Sequence, residues 1–247
     1  MLSLIILFVF GGFVGFCSGF FGIGGGSIIV AVLIYFGYDV KEAIGVSVVQ
    51  MVFSSVFGSY INYKKGVLKF GDSIFVGFGG LLGGFLSGPV ISAVPSLYLL
   101  YLFAFLLVIM IVRGFLKVSF VSREIKPPQI VLVLIGAACG VLGISVGIGG
   151  GMLISLVFFG FLGYDIKKAI SMGLFFVLFT SVGALISQSI GGNINYQLGV
   201  ILGVGSLVGV YFGTLVGIGM AKEKQNKFNI AFNVIVLVAT IVKIVTY

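Results

Sequence analysis

Apolar residues fill this chain in long blocks separated by short polar loops. Five blocks occupy the first half, at about 2–21, 27–37, 42–61, 73–92 and 97–116. Five more occupy the second, at about 129–146, 152–163, 168–189, 197–219 and 228–246. Blocks near 20 residues predict helices matched to the roughly 30 Å hydrocarbon core of a bilayer. The second block of each half is too short for that. Eleven or twelve helical residues reach only about 16–18 Å. Such a block predicts a re-entrant hairpin or a helix broken within the membrane.

Composition supports this reading. Of 247 residues, 60% are apolar and 8% are charged, and the mean hydropathy is +1.32. So few charges cannot cover a water-facing surface. The 40 glycines suit closely packed membrane helices. A net charge of +8 raises nucleic acid as a partner, but the cations are scattered through short loops and form no basic face. Histidine is absent, which removes the commonest metal ligand and general base. Cys17 and Cys139 lie inside apolar blocks with no metal or redox spacing. The expectation is therefore no catalytic residue, no metal and no cofactor. Residues 1–10 lack a basic leader region, so block 2–21 is expected to be a retained helix.

Comparing the chain with itself exposes a duplication. Gly22-Ile23-Gly24-Gly25-Gly26 recurs as Gly147-Ile148-Gly149-Gly150-Gly151, at an offset of 125. Gly37-Tyr38-Asp39-Val40-Lys41 recurs as Gly163-Tyr164-Asp165-Ile166-Lys167 at 126, so one residue has been inserted between them. At 126 the match continues: Ser54-Ser55 meets Thr180-Ser181, Gly66 meets Gly192, and Gly79 and Gly83 meet Gly205 and Gly209. The expected organisation is a first repeat over 1–116, a linker over 117–128 and a second repeat over 129–247.

Five segments per half is odd, so the halves are expected to be inverted. With the N-terminus outside, 12 of the lysines and arginines fall in inside loops and only Lys41 and Lys243 outside. If the first two segments of each half formed one span, the split would be 8 to 6, which is no bias. The 12 to 2 split follows the positive-inside rule. It places both termini outside and the linker in the cytoplasm. Arg113 and Lys243, near segment ends, are read as snorkelling. Pro89 is expected to kink or end the fourth segment.

The chemistry centres on the glycine runs. Each precedes a short helix, and the first amides of a helix have no partner and carry about half a positive charge. Two such ends, entering from opposite sides, make an anion cradle with no full charge in lipid. Gly24, Gly25, Gly26 and Ser27 in the first half, with Gly149, Gly150 and Gly151 in the second, are candidate ligands. Close packing of small residues is the competing reading. The third segments add Ser47, Gln50 and Ser54 on one helix face, and Thr180 and Ser181 in the second half. Hydroxyls and amides of this kind can donate to sulfonyl or carboxylate oxygens, or bond back to their own helix. Asp39 and Asp165 are read as helix caps. No acid lies mid-block, so no side-chain proton carrier is evident.

These features resemble the TauE/SafE family of membrane transporters. The resemblance rests on Gly19-Phe20-Phe21-Gly22-Ile23-Gly24-Gly25-Gly26 and its second copy at Gly143–Gly151, on Tyr38-Asp39 followed by Ala43-Ile44-Gly45-Val46-Ser47, and on Gly79-Gly80-Leu81-Leu82-Gly83. It spans nearly the whole chain. It implies an all-α inner-membrane permease for small sulfur-containing anions such as sulfite, sulfonates or thiosulfate, and the inverted halves add the expectation of alternating access. An anion channel and a permease for small carboxylates are the alternatives. The expected partners are a small anion and the lipid bilayer, with no nucleic acid. The oligomeric state is open.

Overall fold

A computed structural model describes residues 2–115, 124–192 and 194–246. Residues 116–123, with Lys117 and Arg123 of the linker among them, lie outside the described residues, as do the side chains of Arg113 and Lys243. The described residues are helical, with no strand among them. In the first half, α1 is Leu2–Phe21, α2 Gly26–Tyr35, α3 Val40–Lys64, α4 Phe70–Ala93 and α5 Ser96–Phe115. In the second, α6 is Gln129–Ser145, α7 Gly151–Leu156, α8 Ile166–Gly191, α9 Tyr196–Gly219 and α10 Lys222–Thr246. A π-helical turn, Val157–Phe161, prolongs α7. Among the described residues, six helices are long and apolar enough to cross a membrane: α1, α3, α4, α8, α9 and α10.

The π turn explains the change of offset. The stretch from Gly151 to Phe161 has to absorb one residue more than its counterpart from Gly26. Widening one helical turn takes up an insertion without displacing the next helix. Consequently Asp39 and Asp165 occupy the same place, each accepting a hydrogen bond from the amide two residues on, Lys41 at 2.8 Å and Lys167 at 2.9 Å. The lysines then repeat a second contact. The Lys41 ammonium donates to the Ser92 carbonyl at the end of α4, and Lys167 to the Ile218 carbonyl at the end of α9. Cations are favourable at helix C-termini, where carbonyls lack partners. Pro89 does not end α4, which continues to Ala93. The missing donor deprives only the Phe85 carbonyl, one turn earlier, of its helical partner.

Packing is set by glycine on carbonyl. A Cβ on Gly79 would lie 2.0 Å from the Val133 oxygen, and one on Gly83 2.2 Å from that of Ala137. The duplicate glycines do the same: Gly205 against Phe8 at 2.3 Å and Gly209 against Gly12 at 1.8 Å. Thus α4 lies along α6, and α9 along α1, closer than any side chain would allow. The register in each pair rises together, so the partners are parallel. Val49 and Phe53 of α3 meet Gly199 and Gly203 of α9, which is parallel too. So is α4 with α8, through Leu81 on Gly183 and Gly88 on Ser187. By contrast α3 and α8 cross antiparallel, with Met51 and Val177 at one level and Gly58 on Leu174 at another. Helices α1, α3 and α9 therefore run one way, and α4, α6 and α8 the other. The last helices of the halves, α5 and α10, pack on each other.

One contact ties the ends of these helices together. The buried Tyr164 hydroxyl, in the loop before α8, donates to the Asp72 carboxylate in the first turn of α4. Burial, and then the neighbouring Asp72, hold this phenol protonated well above its usual range. Lys168 lies 4.3 Å above the Tyr164 ring and pairs with Glu124. Tyr164→Phe is expected to lower the stability of the purified protein by about 1.5–3 kcal/mol, the worth of a hydrogen bond to a charge. A thermal melt in detergent checks this. An unchanged midpoint would mean that Asp72 does not depend on the phenol.

Candidate functional site

Both glycine runs turn the chain from one helix into the next, and they do so with one backbone geometry. Gly22, Gly24 and Gly25 have φ of 71°, 78° and 83°, and Gly147, Gly149 and Gly150 have 76°, 78° and 74°. Gly25 and Gly150 stand at the N-cap positions of α2 and α7 in the left-handed region, where a Cβ is disfavoured. Neither helix start has a side-chain cap. The leading amides of α2 thus have no side-chain acceptor among the described residues, and they lie in a fully buried place.

The two turns touch. A Cβ on Gly26 would lie 2.1 Å from the Gly147 oxygen, and one on Gly151 2.5 Å from the Gly22 oxygen. Ser54 donates to the Gly24 carbonyl at 3.0 Å, and its duplicate Thr180 to the Gly149 carbonyl at 2.9 Å. These two hydroxyls hold the turns in place, and their protons point at protein carbonyls. Ser47 donates to the Ile44 carbonyl at 2.8 Å, and its oxygen is 3.4 Å from a Cβ placed on Gly147. Ser181 turns its hydroxyl back onto the Leu178 carbonyl of its own helix. The Ser27 hydroxyl is buried and has no partner among the described residues.

Gln50, like Gln188 further along the second half, is buried with neither its amide nitrogen nor its oxygen partnered among the described residues, and Gln50 is the one beside a glycine turn. Its oxygen lies 3.1 Å from a Cβ placed on Gly25. A buried, unsatisfied amide costs about 1–3 kcal/mol, and this one stands beside the start of α2, which has no side-chain cap. The duplicate position carries Phe176, whose ring covers Gly150, 2.9 Å from a Cβ placed there. The unpartnered polar side chain therefore belongs to the first turn, and at the second an aromatic ring takes its place.

Two residues carry no mark in the sequence pattern. Met51 and Val177 are duplicates at the 126 offset, and both lie between the turns. A Cβ on Gly24 would be 3.1 Å from the Met51 sulfur and 2.7 Å from Val177. The Met51 sulfur is also 2.6 Å from a Cβ on Gly149. Their position three residues before Ser54 and Thr180 is the one available signal.

Acidic groups stand away from this centre. Asp39 and Asp165 cap helices, Glu42, Asp72 and Glu223 lie in first turns, and Glu124 precedes α6. Among the described residues no cluster of His, Cys, Asp or Glu could hold a metal.

A family model described as sulfite exporter TauE/SafE matches residues 7–243. The chain belongs to the TauE/SafE family. It is 28% identical over 220 residues to the probable membrane transporter protein YdhB of Bacillus subtilis, covering 86% of this chain and 88% of that one. A probable membrane transporter protein of Methanocaldococcus jannaschii is 29% identical over 199 residues, covering 76% and 73%. A third relative, YunE of Bacillus subtilis, is 25% identical over 96% of this chain and 95% of its own. No solved structure matches. This TauE/SafE protein is a multi-pass membrane transporter and not an enzyme. Its glycine turns fall within the matched region.

Proposed function

We propose that the protein is a secondary transporter of small sulfur-containing anions such as sulfite, sulfonates or thiosulfate, and that the anion sits at the meeting point of the two glycine turns. The observation that carries this reading is the pairing of uncapped α2 amides with the orphaned amide of Gln50. Amides of Gly25, Gly26 and Ser27, with the Gln50 side chain, donate to the anion. Gly149, Gly150 and Gly151 supply the facing wall, Ser47 lies beside it, and Ser54 and Thr180 keep both turns in register. A helix end attracts a compact oxyanion without bringing a formal cation into lipid.

Alternating access is the proposed mechanism. It is supported by the opposed directions of α1 and α6, and of α3 and α8, which suit halves inverted in the membrane. The contact of Met51 and Val177 between the turns favours a carrier over a permanently open channel. Both termini are placed outside a bacterial or archaeal inner membrane, with the lysine-rich end in the cytoplasm. Since every acid stands near a helix start, a proton that accompanies transport travels on the anion itself.

The test is flux into proteoliposomes. Sulfite, a sulfonate and thiosulfate are offered with and without a pH gradient. Saturable uptake of at least one is expected, whereas unitary currents would mark a channel. For the topology, a tag after residue 247 is expected to be reached from outside intact cells, and labelling from the cytoplasm alone would reverse the orientation.

A further inference from the structure

A small cavity with four polar side chains in its wall lies at the lysine-rich end, beyond the first glycine turn. It is lined by Phe20 at the end of α1, Asn62 near the end of α3, Lys167 at the start of α8, Thr214 in α9 and Gln225 in α10. Ile170 connects it to the turn, for it lines the cavity and its carbonyl lies 2.6 Å from a Cβ placed on Gly22. Thr214 is 2% exposed and its hydroxyl has no partner among the described residues. Gln225 is 3% exposed. Its amide nitrogen donates to the Phe20 carbonyl at 2.9 Å, and its oxygen has no partner among the described residues. The cavity is tight, with room for about one water.

We propose that this cavity is the closed form of an entry site, where a small oxyanion waits between the lysine-rich face and the glycine turn. The proposal rests on the transport reading above and adds a site to it. Lys167 supplies the charge, and the Thr214 hydroxyl and Asn62 amide supply neutral donors. Gln225 fills the space an anion needs, so the site opens when its bond to Phe20 breaks. That bond joins α10 to the end of α1, the chain that leads directly into the turn. A static packing defect would need neither the cation nor two orphaned polar groups.

The duplication provides the control. Lys41 makes the same contact with a helix-end carbonyl at the opposite face, Ser92 instead of Ile218. Lys167→Gln and Lys41→Gln therefore lose the same structural bond, but only the first loses the cation of this cavity. Sulfite flux is measured in oriented proteoliposomes, from each face separately. With Lys167→Gln, KM at the lysine-rich face is expected to rise about tenfold or more, the usual consequence of losing a charged donor. At the other face KM stays and the loss appears in the maximal rate. Thr214→Val is expected to act in the same direction more weakly. Lys41→Gln leaves KM at the lysine-rich face unchanged. An unchanged KM with Lys167→Gln, or the same change with Lys41→Gln, overturns the entry site while leaving the transporter reading in place. Absence of saturable flux in the unchanged protein overturns both.

Discussion

Gly26→Ala is expected to abolish anion flux while leaving protein in the membrane. Gly26 is the first residue of α2 and its backbone is not in the left-handed region, so alanine brings no strain of its own. The added methyl would lie 2.1 Å from the Gly147 oxygen and 3.0 Å from the Met51 sulfur. The first distance is more than an ångström short of ordinary contact, and the obstacle is backbone, which cannot rotate away. The turns must part. Displacements of about 1 Å at a positioned site commonly lower rates about 100-fold, and a loss of that size is expected here. Gly219→Ala is the matched control, since nothing lies within 4 Å of its Cβ position. Liposome uptake measures both. Wild-type flux from Gly26→Ala would show that the contact between the turns has no part in transport.

Gln50→Leu is expected to separate stability from function. The two side chains are similar in size, so the packing survives. Removing an amide with no partner among the described residues relieves a desolvation cost, and the protein is expected to gain about 1–2 kcal/mol. Flux should nonetheless fall about 10–100-fold, the worth of a hydrogen bond to a charged group. A residue with a purely structural role would not move the two in opposite directions. Thermal melts and uptake on one preparation give the answer. Undiminished flux would remove Gln50 from the site.

Much of the architecture is legible in the sequence because the duplication carries geometry as well as composition. The offset of 125 across the glycine runs and 126 beyond them marks an insertion, and the π turn Val157–Phe161 is where the chain absorbs it. Asp39 and Asp165 are readable as caps because their chemistry is local. Where the outcome depends on partners distant in sequence, the pattern is insufficient. Ser54 and Thr180 read as ligands, yet their hydroxyls are directed at Gly24 and Gly149, a contact that exists only once helices pack. Met51 and Val177 are invisible because an apolar residue in an apolar helix has no chemical signature. The apolar pattern starts α10 at 228, whereas the helix begins at Lys222. Its first turns are rich in Lys, Glu and Gln, good helix formers that a search for apolar runs passes over.

The most direct measurement is the position of a bound anion. Crystals grown with selenite, the heavier analogue of sulfite, would reveal the ion by its anomalous scattering. The expected peak lies within hydrogen-bonding reach of the Gly25 and Gly26 amides and the Gln50 side chain. A protein that transports selenite but holds it away from both glycine turns would contradict the proposed site.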